Sequence, residues 1–231
     1  FIILQCFFLA TFSVVWSQNY VNFGIRYQNT IKGDMIVVGN SILNVGDYPA
    51  NQDYKGTQGD NSQITLNYTN VVPETGIFNS SSAVVPDPNP SSNCKKVLKA
   101  YLYWAAAYTK ERIDNQTNPK LERSKFKNVK FKVGSGNYID LEGEKVYDAD
   151  NILSGSGLYN SQRAYVYRKE VTQYLTSINN TYTVGNIQAP YGEETTGVGY
   201  AAGWTLVIVY EDLTKPSRNV TIFDGFSVVN R

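Results

Sequence analysis

The chain has 231 residues and a formal net charge of +1, enough length for one large all-β domain or two small ones. It is rich in Tyr, Asn, Thr, Val, Gly and Ser, which suit strands and turns, and it has no basic run, so nucleic acid is not an expected partner. It contains no histidine. That excludes Ser-His-Asp and Cys-His catalysis, histidine-ligated zinc and facial-triad iron together.

Phe1 to Val15, FIILQCFFLATFSVV, is short for a membrane span and is followed by Trp16 and Ser17. Val15 and Ser17 suit the −3 and −1 positions of a cleavage site, so residues 1–17 read as a secretory signal peptide. The missing Met and basic n-region make its start look truncated, and the abrupt end at Arg231 suggests the front of a longer protein. The mature chain, residues 18–231, reads as one domain with no membrane span, secreted to the outside or to the outer cell surface. Cys94 is then its one remaining cysteine, so no internal disulfide is expected, and without a histidine partner an inert thiol is the simpler reading.

Asn19 to Asn29 reads as a lead-in. Asp34 to Asn44 reads as a strand interrupted at Gly39-Asn40, and Val45 to Asn61 as a long loop. Gln63 to Asn70 alternates and reads as a half-buried strand. Asn79 to Asn93, with Pro86, Pro88 and Pro90, reads as a loop. Lys96 to Ala107, KVLKAYLYWAAA, is an apolar, aromatic strand in contact with the core. Tyr108 to Lys125 is a charged insertion. Phe126 to Val133 and Tyr138 to Leu141 flank Gly134 to Asn137 and read as a hairpin, with Val129, Phe131 and Val133 on one face.

Asp148 to Gly157 reads as a loop and Ala164 to Arg168 as a strand. Val171, Tyr174, Leu175 and Ile178 fall at helical spacing, which predicts at most one short helix. Thr181 to Gln188 is another strand. Trp204 to Tyr210 is apolar on both alternating sets, the mark of a strand covered on both faces. Asn219 to Phe223 is a strand, and Asp224-Gly225 between Phe223 and Phe226 predicts a tight hairpin. The pattern is all-β: an antiparallel β-sandwich, jelly-roll-like.

The blocks GDMIVVGNS, CKKVLKAYLYWAAAY, VKFKV, AYVYRKEVTQYL, YTVGNIQ and AAGWTLVIVYEDLTKPSRNVTIFDGF occur in that order. From about Gly33 onward the chain resembles the N-terminal domain of large secreted surface proteins of Bacteroidetes. These include gliding-motility adhesins exported by type IX secretion. The resemblance implies a non-enzymatic β-sandwich module for adhesion or gliding, with surface glycans or other cell-surface proteins as partners. It carries over no catalytic residue. Two alternatives stand beside it: a carbohydrate-binding module of a secreted polysaccharide-degrading enzyme, and a carboxylate-based hydrolase domain. In that bacterial setting the N-x-S/T triplets, such as Asn67 and Asn219, are incidental.

Asp148, Asp150 and Asn151 put oxygen ligands close together, which suits calcium, although the EF-hand Gly and Glu are missing and a solvated loop explains them as well. No other cofactor is expected. Asp47, Asp53 and Asp60 raise the same question more weakly. Glu193 and Glu194 are the best carboxylate pair, but strand neighbours point to opposite faces, so Asp212 or Asp224 would have to partner them. Asp224 is accounted for more simply by its turn. For stacking on sugar rings, Tyr159, Tyr191 and Tyr200 are the exposed candidates, whereas Trp104 and Trp204 read as core.

Overall fold

The computed structural model describes residues 21–45, 64–109, 121–149, 162–192 and 199–226. Residues 1–17, read above as a signal peptide, and Tyr159, Asp150, Asn151, Asp47, Asp53, Asp60 and the Glu193–Glu194 pair all lie outside these residues. Twelve strands are described, in chain order β1 Gly24–Ser41, β2 Leu43–Val45, β3 Leu66–Tyr68, β4 Ser80–Val85, β5 Lys95–Thr109, β6 Asn128–Val133, β7 Ile139–Glu142, β8 Glu144–Asp148, β9 Gln162–Glu170, β10 Asn180–Gly185, β11 Ala201–Asp212 and β12 Ser217–Asp224. The segment with helical spacing forms only a 3-10 turn, Thr172–Tyr174. The fold is all-β and antiparallel, as expected: a sandwich-like pairing of a six-stranded sheet, β12-β1-β11-β5-β9-β8, with a four-stranded sheet, β4-β10-β6-β7. A small ladder joins β2 to β3.

The large sheet is not flat. β1 changes partner along its length: Gly24 to Lys32 pairs with β12, and Gly33 to Ser41 pairs with β11. At the changeover only glycine fits, because a Cβ on Gly33 would collide with the Tyr210 carbonyl. Beyond that point the β1–β12 arm folds across the outer face of the sheet and reaches its far edge. There the Val21 amide donates to the Val146 carbonyl at 2.7 Å, and the Phe226 ring stacks on Tyr147 with centroids 3.7 Å apart. The sheet therefore curls into a half-barrel.

This curl explains why β11 is apolar on both faces. Trp204, Leu206, Ile208 and Tyr210 enter the main core between the two sheets, beside Leu102, Trp104, Phe131 and Tyr182. Val207 and Val209 face the other way and meet Ile31, Tyr101, Val220 and Ile222 inside the curl. Burial of both sets supplies the hydrophobic stabilisation that a disulfide would otherwise supplement. The β6–β7 hairpin forms as predicted. Val129 and Phe131 are buried, and Lys130 and Lys132 pair outward with Asp140 and Glu74, each at 2.6 Å.

Three expectations change. The strand β1 starts at Gly24 rather than after a lead-in. Ser80–Val85, read as loop, is a strand. Its serines are accommodated in the interior because the Trp204 indole donates to Ser81 Oγ at 2.8 Å and Ser80 Oγ donates to Asn70 at 2.8 Å. Phe223 and Phe226 are not the two sides of a tight hairpin. β12 runs to Asp224, whose register partner is Gly24 of β1, and Phe226 bridges to Asn22.

Candidate functional site

Alanine is depleted in strands, yet this chain sets two short alanine-rich runs side by side. The register pairs Ala201 with Ala107, Ala202 with Ala106 and Gly203 with Ala105. On the next strand Ala164 lies opposite Ala107 and Val166 opposite Ala105. Alternation sends the two halves of this small-residue patch to opposite faces. Ala106 and Ala202 face the core and are buried there together with the rings of Tyr165 and Tyr200. Ala105, Ala107, Ala164 and Ala201 face outward and fill little space. Gly203 serves close packing as well: a Cβ there would lie 2.6 Å from the Asn40 carbonyl oxygen of β1.

The result is an open cleft of about 730 Å3, lined by these residues together with Tyr103, Thr205 and Tyr200. Its size lies within the usual range of small-molecule sites. The floor can bind an apolar surface by expelling water, and the strands that form it are held by ladders on both sides, so the shape is built in before any ligand arrives.

One end of the cleft is closed by a buried cluster of charges. Tyr103, two residues along β5 from Ala105 and on the same face, donates its hydroxyl to Asp224 at 2.8 Å. The same carboxylate accepts from Arg26 Nε at 3.0 and 3.1 Å and from Arg168 Nη1 at 2.8 Å. Arg168 also reaches Glu144 at 3.2 Å. The Asp224 and Arg168 side chains are only 8% and 7% exposed. Burial pulls the Asp224 carboxyl up, but the hydrogen bonds from Arg26 and Tyr103 and the charges of Arg168 and Arg26 outweigh it and leave the group below its ordinary range. Burial, followed by the hydrogen bond to Asp224, pushes the Tyr103 hydroxyl up, so it stays a donor. Asp224 is thus the clasp that fixes the β1–β12 arm to β5 and β9, not a turn residue.

Asp212, the other carboxylate considered as a partner, is engaged elsewhere. It accepts from Asn89 at 2.8 Å, Ser92 at 3.0 Å and the Thr214 hydroxyl at 2.7 Å. The Thr214 and Asn89 hydrogen bonds hold its carboxyl far below the ordinary range. It fastens the proline-rich loop to the turn between β11 and β12. Asp148 ends β8, is buried, and pairs with Arg123 at 2.5 Å. Its oxygen therefore points at a guanidinium, and the rest of the proposed calcium set lies outside the described residues. Among the described residues no group of three or more His, Cys, Asp or Glu is placed to hold a metal ion.

Of the candidate tyrosines, Tyr200 is 2% exposed and belongs to the core, although it borders the cleft. It is not the exposed stacking residue expected. Tyr191 is half-buried, meets Tyr68 edge-on at 4.9 Å and is not among the residues lining the cleft. Sequence reasoning passed over the alanine floor and over Tyr103. The signal was present in the AAA and AAG runs, but only their cross-strand register turns them into a surface. Among the described residues no helix is long and apolar enough to cross a membrane. Comparison with protein-family models, curated proteins and solved structures gave no match.

Proposed function

We propose that this chain is a non-catalytic binding module of a secreted cell-surface protein, used in adhesion or gliding, and that it takes its ligand in the alanine-floored cleft. One observation carries this reading: a preformed apolar cleft of about 730 Å3 on a sheet whose neighbouring carboxylate, Asp224, is committed to holding the fold together. The composition of a secreted β module and the resemblance to Bacteroidetes surface proteins support the setting. Surface glycans and other cell-surface proteins are the ligand classes it would meet there. The apolar floor of Ala105, Ala107, Ala164 and Ala201 favours an uncharged ligand face over a charged peptide.

The test is direct. The immobilised chain is probed with a glycan array and with intact cells, beside the variant Ala105→Trp. Binding by the parent chain and its loss in the variant are expected. Equal binding by both removes the cleft from the reading, and no binding to any glycan or cell overturns the module itself.

A further inference from the structure

In the small sheet, β10 parts from β6 where Gly185 faces Lys130, the last pair of their ladder. The next residue, Asn186, is the one non-glycine among the described residues with a left-handed backbone, at φ 60°. Asparagine takes that conformation more readily than most residues. The Asn186 side chain fastens the departing chain to the segment before β4: it accepts from the Phe78 amide at 3.0 Å and donates to the Gly76 carbonyl at 2.8 Å. Asn79 adds a second tie, donating to the Ile187 carbonyl at 2.8 Å and accepting from the Ile187 amide at 3.0 Å. Between this tied segment and the β6–β7 hairpin lies a shallow pocket of about 290 Å3.

Three kinds of group line it. The Phe78 ring is 42% exposed although its backbone is pinned, and it leans on Tyr68 with centroids 5.7 Å apart. The side-chain amides of Asn128 and Gln188 make no hydrogen bond to the described residues, while the Tyr165 hydroxyl holds Gln188 by its carbonyl at 2.6 Å. Lys125 and Lys130 are paired with Glu122 at 2.8 Å and with Asp140 at 2.6 Å, so their charges are balanced. We propose that this pocket binds one neutral sugar ring, at the end or on a branch of a glycan. An exposed aromatic face covers the C–H face of a sugar. Free amides both donate and accept, as sugar hydroxyls do. A purely apolar ligand would bury those amides unpaired, and an anion would have to break an existing ion pair. The volume sits at the lower limit of small-molecule sites, which suits a single ring. The pocket belongs to the small sheet, and the proposal does not rest on the cleft, which lies over β5, β9 and β11.

Amide NMR spectra of the full chain are titrated with free glucose, galactose, mannose, N-acetylglucosamine and glucuronate. Saturable shifts clustered at Phe78, Asn128 and Gln188 are expected with at least one of the four neutral sugars. Phe78→Ala should weaken that binding by about tenfold. Gln188→Ala and Asn128→Ala should each weaken it by roughly two- to tenfold and serve if the first variant folds poorly. Ala105→Trp, which fills the cleft, separates the two sites. Sugar binding that survives Ala105→Trp and falls in Phe78→Ala belongs to the pocket. Binding that falls in Ala105→Trp alone belongs to the cleft and overturns this proposal without touching the reading of the cleft. No saturable binding of a neutral sugar overturns it too, as does binding indifferent to all three pocket variants. Saturable binding of glucuronate alone overturns the neutral class.

Discussion

The outer face of the large sheet has two ends built on the same strands. Around Tyr103 and Arg168 the β1–β12 arm lies across it, and every polar group named there has a partner. Two residues further along β5, the side chains shrink to Ala105 and Ala107 and the face opens into the cleft. Nothing in the backbone separates these regions, since the ladder of β5 with β11 and β9 runs through both. Side-chain volume and one carboxylate decide which end is filled and which is hollow. A single sheet can thus carry a structural lock and a binding surface side by side, and the lock is what gives the cleft its end wall.

The largest expected effect breaks the lock. Asp224→Asn removes the charge that offsets Arg168 and Arg26 in a site with little access to water, and should cost about 3–5 kcal/mol by chemical denaturation. The pH dependence follows from the same group. Its folded pKa lies below the ordinary 3.8, so its contribution is complete above that value and is lost as pH falls through the lower folded value. The parent chain should therefore lose stability steeply below about pH 4, and Asp224→Asn should flatten part of that fall. An equally steep acid transition in the variant would move the effect to Asp212 and Asp34, whose carboxyls are also held low.

The next effect separates the two faces of one strand. Ala106 is 3% exposed and faces the main core, so Ala106→Leu should overpack it at about 1–3 kcal/mol in thermal or urea unfolding. Tyr103→Phe comes after it. It keeps the ring and removes one donor of the several on Asp224, which should cost about 1 kcal/mol. A much larger loss would mean that the hydroxyl, rather than the arginines, holds the arm down.

How much of this was legible beforehand depends on the range of the interaction. The continuous apolar run of β11 announced a strand buried on both faces, and alternation with a Gly-Ser-Gly-Asn turn announced the β6–β7 hairpin, because both signals are local. The strand β4 was hidden by its serines, since their partners Trp204 and Asn70 lie 123 and 10 residues away. Asp224 was hidden more deeply. Asp-Gly is a strong turn signal in isolation, and the competing demand comes from arginines 198 and 56 residues distant. Asp148, read as part of an oxygen-rich loop, ends a strand beside Arg123, 25 residues away, a partner no local pattern announces. The cleft needed the register itself, which no single run of residues contains.

The smallest expected effect is the most informative about function. Ala105 is next to Ala106 in sequence but faces the opposite way, half-buried at the floor of the cleft that the described residues form. Ala105→Leu adds the same atoms as Ala106→Leu, yet it meets no packed core and should change stability by no more than about 0.5 kcal/mol. Those atoms instead occupy the volume a ligand would use. The pair therefore makes a matched control: one substitution injures the fold and leaves the cleft open, the other leaves the fold and fills the cleft. If Ala105→Leu were as destabilising as Ala106→Leu in the same denaturation measurement, the outer face would be packed there too and the contrast between the two ends of the sheet would vanish. If it were harmless to folding and harmful to binding, the hollow end of the sheet would be the part of this molecule that meets its partner.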